Sequence, residues 1–296
     1  HSREIDLSLD RIRLLMSDLG NPQDKIKCIQ VCGTNGKGST ISFLRSILKE
    51  ANYKCNIFTS PDLISINERF VYNDEMIGDE DLANLLNEIH EVNNGKPLTY
   101  FEALTAGFFL GCMKYQDNIV LAEFGLFGRN DAVNILKNNL ANCISSISHD
   151  HLDWLPENDR TIERIIYEKT SSLLNSNIIV SKQSSNKITE CIKKNISNNT
   201  ANKIFYGEDY NYVLKDNDFF FYEDKYGSLK IPKPNIKGDF QLENASTAIA
   251  TLRTLKDLNI KDNHIIEGIK KAHNPARLEE IREGKLKNLV KDNVLI

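Results

Sequence analysis

The sequence predicts an α/β fold, a mostly parallel β-sheet flanked by helices and carrying a phosphate loop, with a small antiparallel β elaboration. Three observations lead there. An apolar run, Cys28-Ile29-Gln30-Val31-Cys32, fits a short buried strand; Gly33, Gly36 and Gly38 break it, and Ile41, Leu44, Ile47 and Leu48 then recur at helical spacing. Helix-like and strand-like segments alternate along most of the chain, which suits a parallel sheet covered on both faces. Near 219–231, two aromatic or apolar runs flank a polar turn, as in an antiparallel pair.

The elements follow in order. An amphipathic helix over 7–19 is stopped by Gly20-Asn21-Pro22. The strand at 28–32 leads through the glycine-rich turn into a helix over 39–50. A strand at 54–59 ends at Ser60-Pro61, where the chain turns. Helices are expected over 79–92 and 101–115, buried strands at 118–122 and 142–148, a helix over 161–174, a strand at 177–181 and a helix over 188–196. Phe219-Phe220-Phe221-Tyr222 and Ser228-Leu229-Lys230-Ile231 read as hairpin strands that elaborate the edge of the main domain. A long helix covers 239–258. Beyond Pro275 the texture changes again and ends on Val294-Leu295-Ile296. Residues 1–274 are therefore expected to form one domain and 275–296 the start of a second, truncated one.

Composition excludes several classes. The chain has 296 residues, 41% hydrophobic and 26% charged, as in soluble globular proteins. A formal net charge of −4 argues against a nucleic-acid surface. No apolar run approaches the ~18 residues of a membrane span, and the N-terminus shows no basic-then-apolar signal pattern. Six cysteines include no Cys-x-x-Cys pair, and five fall in apolar runs. A reduced, cytoplasmic setting is expected.

The chemistry concentrates at 31–40, V-C-G-T-N-G-K-G-S-T. A strand, a glycine-rich turn and a helix N-terminus make an anion site, because backbone N–H groups point outward, the helix dipole adds partial positive charge and Lys37 adds a full one. The spacing departs from G-x-x-x-x-G-K-[ST]: Gly33 sits only four residues before Lys37, and Gly38 occupies the hydroxyl position. In open α/β sheets, ligands gather at the carboxyl ends of parallel strands. Glu123 directly follows one predicted strand, and Asp150 and His151 follow another, so Lys37, Glu123 and His151 should share one rim. A carboxylate beside phosphate oxygens suits Mg²⁺, which takes few protein ligands.

The loop at 31–40 resembles the phosphate loop of folylpolyglutamate synthases and dihydrofolate synthases, members of the Mur ligase superfamily. The likeness continues in register. Leu19-Gly20-Asn21-Pro22 resembles the family's lead-in, and Thr59-Ser60-Pro61-Asp62-Leu63 with Asn67-Glu68-Arg69 its T-S-P-H-L and E-R-I segment. Phe101-Glu102-x-x-Thr105-Ala106 resembles F-E-x-x-T-x, and the run from Glu123 to Asn134 resembles E-V-G-L-G-G-R-x-D-A-T-N. Asp150-His151, Glu168-Lys169, Gln241-x-x-Asn244-Ala245 and Pro275-Ala276-Arg277-Leu278-Glu279 are similar to D-H, E-K-A-G-I, H-Q-x-x-N-A and P-G-R-L-E. Phe127 stands where the family has a second glycine, and Thr170-Ser171-Ser172 where it has A-G-I.

The resemblance implies a Mur ligase central-domain fold, with a C-terminal Rossmann-like domain largely absent because its D-x-A-H-N segment would follow Ile296. It implies an ATP-dependent amide ligase that joins L-glutamate to dihydropteroate or a folate through an acyl phosphate. Gly33, Thr34, Asn35, Gly36, Lys37, Gly38, Ser39, Asn244 and Arg277 would bind ATP. Ser60, Glu123 and His151 would hold Mg²⁺, with room for a monovalent cation, and Lys169 matches a lysine that the family carbamylates. Lys37, His151 and Lys169 would act in the chemistry, and Phe101, Asp131 and Ala132 would hold the pterin. A monomer is expected, with neither nucleic acid nor membrane as partner. Two other readings use the same residues: a catalytically impaired nucleotide- and pterin-binding fragment, and a Mur-type ligase of a cell-wall precursor.

Overall fold

The computed structural model describes residues 8–215, 218–276, 278, 280–281, 287–288 and 294–295. In chain order the elements are α1 (Asp10–Asp18), β1 (Lys27–Cys32), α2 (Lys37–Glu50), β2 (Cys55–Phe58), β3 (Phe70–Tyr72), β4 (Glu75–Met76), α3 (Asp79–Asn93), α4 (Tyr100–Gly111), β5 (Ile119–Glu123), β6 (Ala141–Ile144) and α5 (Ile162–Thr170). They continue with β7 (Asn177–Val180), α6 (Asn186–Asn195), β8 (Lys203–Phe205), β9 (Tyr210–Leu214), β10 (Phe219–Asp224), β11 (Gly227–Pro232), α7 (Phe240–Thr254), α8 (Asp262–Lys271), β12 (Glu280–Ile281) and β13 (Val294–Leu295).

The main sheet runs β4-β3-β2-β5-β1-β6-β7-β8. From β2 to β8 neighbouring strands are parallel, and β3 and β4 add an antiparallel edge. Successive β1 side chains serve opposite faces: Cys28 and Cys32 join one apolar layer, Ile29 and Val31 the other. The first layer packs α1, α3, α4, α5 and α6 around Phe58, Phe70, Phe108 and Phe109. The second packs α2, α7 and α8 around Phe43, Phe220 and Tyr222. Central strands buried on both faces explain why their sequences read as continuous apolar runs.

Helix starts follow the local chemistry. Thr99 caps α4, accepting from the Glu102 amide (3.2 Å), while the Glu102 carboxylate accepts from the Thr99 amide (2.7 Å). Thr161 and Ser185 cap α5 and α6 the same way, each accepting from an amide in its first turn. By contrast, α2 is preceded by Gly36, which has φ +87° and offers no side-chain cap. Its first-turn amides are left for something else.

Several boundaries differ from those expected. The helix after the loop begins at Lys37, and the one expected over 101–115 tightens into a 3₁₀ turn at Cys112–Tyr115. The one expected over 161–174 stops at Thr170, where the Arg129 amide takes the Glu168 carbonyl (2.7 Å) and turns the helix end into a docking point. The long helix of 239–258 ends at Thr254 and is followed by α8; that helix and the strands β3, β4, β8 and β9 are additional to those expected. The hairpin strands form, as an antiparallel elaboration of the domain. With β9 they make a separate three-stranded sheet, β11-β10-β9, seated against α7 and α8. Part of the expected first helix, and Arg277, lie outside the described residues. Among the described residues, no helix is long and apolar enough to cross a membrane.

Candidate functional site

The loop between β1 and α2 is pinned from β6 and the segment behind it. The Thr34 and Asn35 amides both donate to the Ser146 carbonyl (2.9 and 3.1 Å). The Thr34 hydroxyl donates to the Ser148 carbonyl (3.1 Å) and accepts from the Ser148 amide (3.2 Å). Gly33 has φ +134°, and a Cβ there would collide with the Ser145 hydroxyl; at Gly36 it would collide with the Asn244 side chain. Both positions need glycine for backbone sign and for space. Gly38 has no such need, since its nearest neighbour would be Glu123 Oε2 at 3.8 Å. A hydroxyl missing at Gly38 therefore leaves open space beside Glu123.

Lys37 Nζ donates to the Thr34 carbonyl (3.2 Å) and lies 3.7 Å from Glu123 Oε1. Glu123 ends β5, which is paired with β1 so that it faces Val31 across the ladder. Its Oε2 accepts from the Ser60 backbone amide (3.2 Å), so it is the main chain of Ser60 that meets Glu123. Among the described residues, no three His, Cys, Asp or Glu side chains cluster tightly enough to hold a metal alone. The donors fit a hard cation that shares its shell between one buried carboxylate, waters and phosphate oxygens.

His151 and Lys169 meet at Asp150. Asp150 Oδ2 lies 3.3 Å from His151 Nε2 and 3.9 Å from Lys169 Nζ. Burial lowers the His151 pKa, which favours the neutral imidazole that can bind a metal. Lys169 is buried and donates to the Gly33 carbonyl (2.9 Å), linking α5 to the phosphate loop. Burial, and then the charge of Lys37, bring its pKa down to about 8. Gly128 packs so closely on α5 that a Cβ would lie 2.9 Å from the Lys169 carbonyl, and Arg129 grips Glu168 through two 3.0 Å hydrogen bonds. Phe127 takes φ +57°, the left-handed conformation a glycine adopts freely, and its buried ring meets His151 edge-on with Lys169 Nζ 5.8 Å from its centroid.

Two cavities open on this rim. One, of about 620 Å³, lies between the loop and α7, lined by residues 34–39, Glu123 and Asn244 among others. Asn244 donates to Gln241 Oε1 (2.9 Å), and Gln241 donates to the Ser39 hydroxyl (3.3 Å). The second, of about 680 Å³, is lined by Ser60, Phe101, Asp131, Ala132, His151 and Trp154 among others. The Phe101 ring rests on the backbone of Gly125 and 5.8 Å from Phe58, so it both packs in the core and faces the cavity. Asp131 is buried and accepts from the Leu126 (2.6 Å) and Val133 (2.9 Å) amides, with the Gly125 amide as a third backbone donor. Burial raises its pKa to about 6. Thr34, Lys37 and Glu123 line both cavities, which therefore adjoin at the lysine and the carboxylate.

Sequence reasoning missed the serines that pin the loop, 145, 146 and 148, and the bridging role of Asp150. The Asp-His pair was the signal for Asp150; nothing in the sequence marked the serines.

Comparison with known proteins places this geometry among relatives. Residues 31–252 match the Mur ligase middle domain family. The chain is 32% identical over 293 residues to a dihydrofolate synthase/folylpolyglutamate synthase of Bacillus subtilis, covering 93% of this chain and 66% of that protein. It is also 32% identical to the one of Escherichia coli, covering 96% of this chain and 64% of that protein. The chain thus spans just under two thirds of the length of these curated relatives. Among solved structures it resembles Escherichia coli FolC in complex with DHPP and ADP, with a TM-score of 0.84 and 32% identity over 96% of this chain and 66% of that one. A bifunctional folylpolyglutamate synthase/dihydrofolate synthase of Yersinia pestis, complexed with AMPPNP and Mn ion, matches with a TM-score of 0.84 and 26% identity over the same shares.

Proposed function

Because this chain belongs to the Mur ligase middle domain family, we propose that it forms the ATP- and substrate-binding core of a ligase that joins L-glutamate to dihydropteroate or a folate. The observation that carries the reading is the junction of two cavities at Lys37 and Glu123. A nucleotide entering from the α7 side and a carboxylic acid entering from the Phe101 side would meet there.

A carboxylate is a poor acylating agent, so its oxygen must first become a phosphate leaving group. Residues 33–39 would hold the triphosphate through the uncapped amides of α2, with Lys37 drawing negative charge from the transferring phosphoryl group. The substrate carboxylate attacks the γ-phosphorus, a P–O bond forms, and the bond to ADP breaks. The glutamate amine then attacks the acyl carbon and loses a proton, and phosphate leaves. Mg²⁺, held by Glu123 with Ser60 and by His151, would neutralise phosphate charge in this sequence.

Phe101 would stack on the pterin, and Asp131 with Ala132 would take its ring N–H groups. Lys169, whose pKa is brought down to about 8 by burial, has a larger neutral fraction than a free lysine and suits carbamylation: the neutral amine adds to CO₂ and loses a proton, giving a carboxylate near Asp150. Asn244 and Arg277 are assigned to the nucleotide, residues 1–274 to the nucleotide-binding unit, and the protein to the cytoplasm as a monomer.

The test uses Trp154, the only tryptophan of the sequence, which lines the second cavity and is 38% exposed. Dihydropteroate should quench its fluorescence, and Mg-ATP should bind with an affinity that Lys37→Ala lowers at least tenfold. Quenching by a uridine-nucleotide muropeptide but not by a pteroate would overturn the folate reading. ADP release that depends on pteroate and glutamate would extend the test to turnover.

A further inference from the structure

We propose that Glu243 binds the ribose hydroxyls of the nucleotide, and that Lys182 positions its carboxylate. The inference rests on the nucleotide reading of the cavity beside α7. Asn244 covers Gly36 and marks the phosphate end of that cavity. The cavity also has an apolar lining: the Phe240 ring and Leu278 both crowd the backbone of Gly238, and with Ala276 they line the cavity. Phe240 is 53% exposed, a broad apolar face turned outward at the first turn of α7. It precedes Asn244 by four residues, so the two share a side of the helix about 6 Å apart along its axis.

Glu243 lines the same cavity. Phosphates at the α2 amides and a base against Phe240 leave the sugar between them. A carboxylate only accepts, and the ribose diol offers two donors to it; acidic side chains serve this purpose in dinucleotide-binding folds as well.

The carboxylate is not left to wander. Lys182, just beyond the carboxyl end of β7, lies 3.3 Å from Glu243 Oε1. Its ammonium sits 5.9 Å from the Tyr206 ring centroid and 5.8 Å from that of Tyr212, and those rings pack on each other at 5.6 Å. The two rings hold the cation by their faces, and the cation fixes one oxygen of a carboxylate that lines the cavity. The main sheet and the small antiparallel sheet thus both contribute to one nucleotide contact.

Calorimetric titration of the chain with Mg-ADP, Mg-2′-deoxyADP, Mg-3′-deoxyADP and inorganic tripolyphosphate tests this. The wild type should bind ADP at least tenfold more tightly than one of the deoxy analogues. Glu243→Ala should reduce that ratio to within about twofold while leaving tripolyphosphate affinity unchanged, which separates a ribose contact from a folding defect. Lys182→Met should reduce the ratio part-way, and Glu243→Gln should retain more of it than the alanine variant. Equal binding of ADP and both deoxy analogues by the wild type, or an unchanged ratio in Glu243→Ala, overturns the proposal and leaves the nucleotide reading standing. Failure of the wild type to bind ADP at all overturns both.

Discussion

Replacing Asp131 by asparagine should change how stability depends on pH. Asp131 is buried, and its carboxyl titrates in the folded chain near pH 6, against 3.8 when unfolded. Between those values the folded carboxyl keeps its proton while the unfolded one has lost it. The folded state then binds more protons, so stability falls as pH rises through the window. At about 1.36 kcal/mol per pH unit, the loss attributable to this group reaches about 3 kcal/mol by pH 6 and stays constant above. A carboxamide in its place does not titrate. That group cannot accept from both the Leu126 and Val133 amides, but the resulting cost of about 1–3 kcal/mol is independent of pH. Urea unfolding of both proteins at pH 4, 5, 6 and 7 gives the difference directly. Wild type minus Asp131→Asn should fall by about 2.4 kcal/mol across the series and flatten above pH 6. A flat difference, or one that rises with pH, would refute the reasoning, because a rising difference means that the three-sided backbone cage wins over burial. The same carboxylate is proposed to accept from pterin N–H groups, so dihydropteroate affinity should weaken toward tenfold for each unit below about pH 6.

Two further outcomes follow from the same rim. Phe127→Ala should destabilise the fold by about 3–5 kcal/mol, since a buried ring is lost, yet Phe127→Gly should be more stable than Phe127→Ala by about 1 kcal/mol, because only glycine takes φ +57° without strain; thermal unfolding of the pair decides, and an alanine variant as stable as the glycine one counts against strain at this turn. Glu123→Gln keeps the shape that accepts from the Ser60 amide but removes the charge, so folding should hold while the Mg²⁺-dependent gain in ADP affinity disappears; undiminished Mg²⁺ dependence would remove Glu123 from the metal site.

What the sequence revealed and what it hid divide along physical lines. The central strands, buried on both faces, announce themselves as apolar runs, and α2 through its glycines and helical spacing. Edge strand β4, with both residues exposed, carries no such pattern. The end of α5 was misjudged because what stops it is tertiary: a backbone amide from Arg129 and the close approach of Gly128. Lys37 and Glu123 were legible since strand ends point to one rim. The pinning serines were not, because Ser145, Ser146 and Ser148 act mainly through backbone groups or as a wall behind Gly33, and such roles leave no residue-type signature.

The placement of the site follows from one topological fact that no local pattern contains. In the chain, β1 is followed by β2, then β5 and β6, but in the sheet β1 lies between β5 and β6. The connection leaving β1 runs toward the β5 side and the one leaving β6 toward the β7 side, so a crevice opens between the carboxyl ends of β1 and β6, where open α/β sheets take their ligands. Parallel register sets Val31 opposite both Glu123 and Cys143. The loop that follows β1 is then held from the β6 side by the Ser146 carbonyl, while Glu123 waits 3.7 Å from Lys37 on the β5 side. A lysine anchored to one neighbour and facing a carboxylate from the other is a consequence of strand order, and so is the meeting of the two cavities at that pair. Gly38 fits the same logic: a Cβ there would lie 3.8 Å from Glu123 Oε2, so the missing side chain leaves the meeting point of the two cavities open.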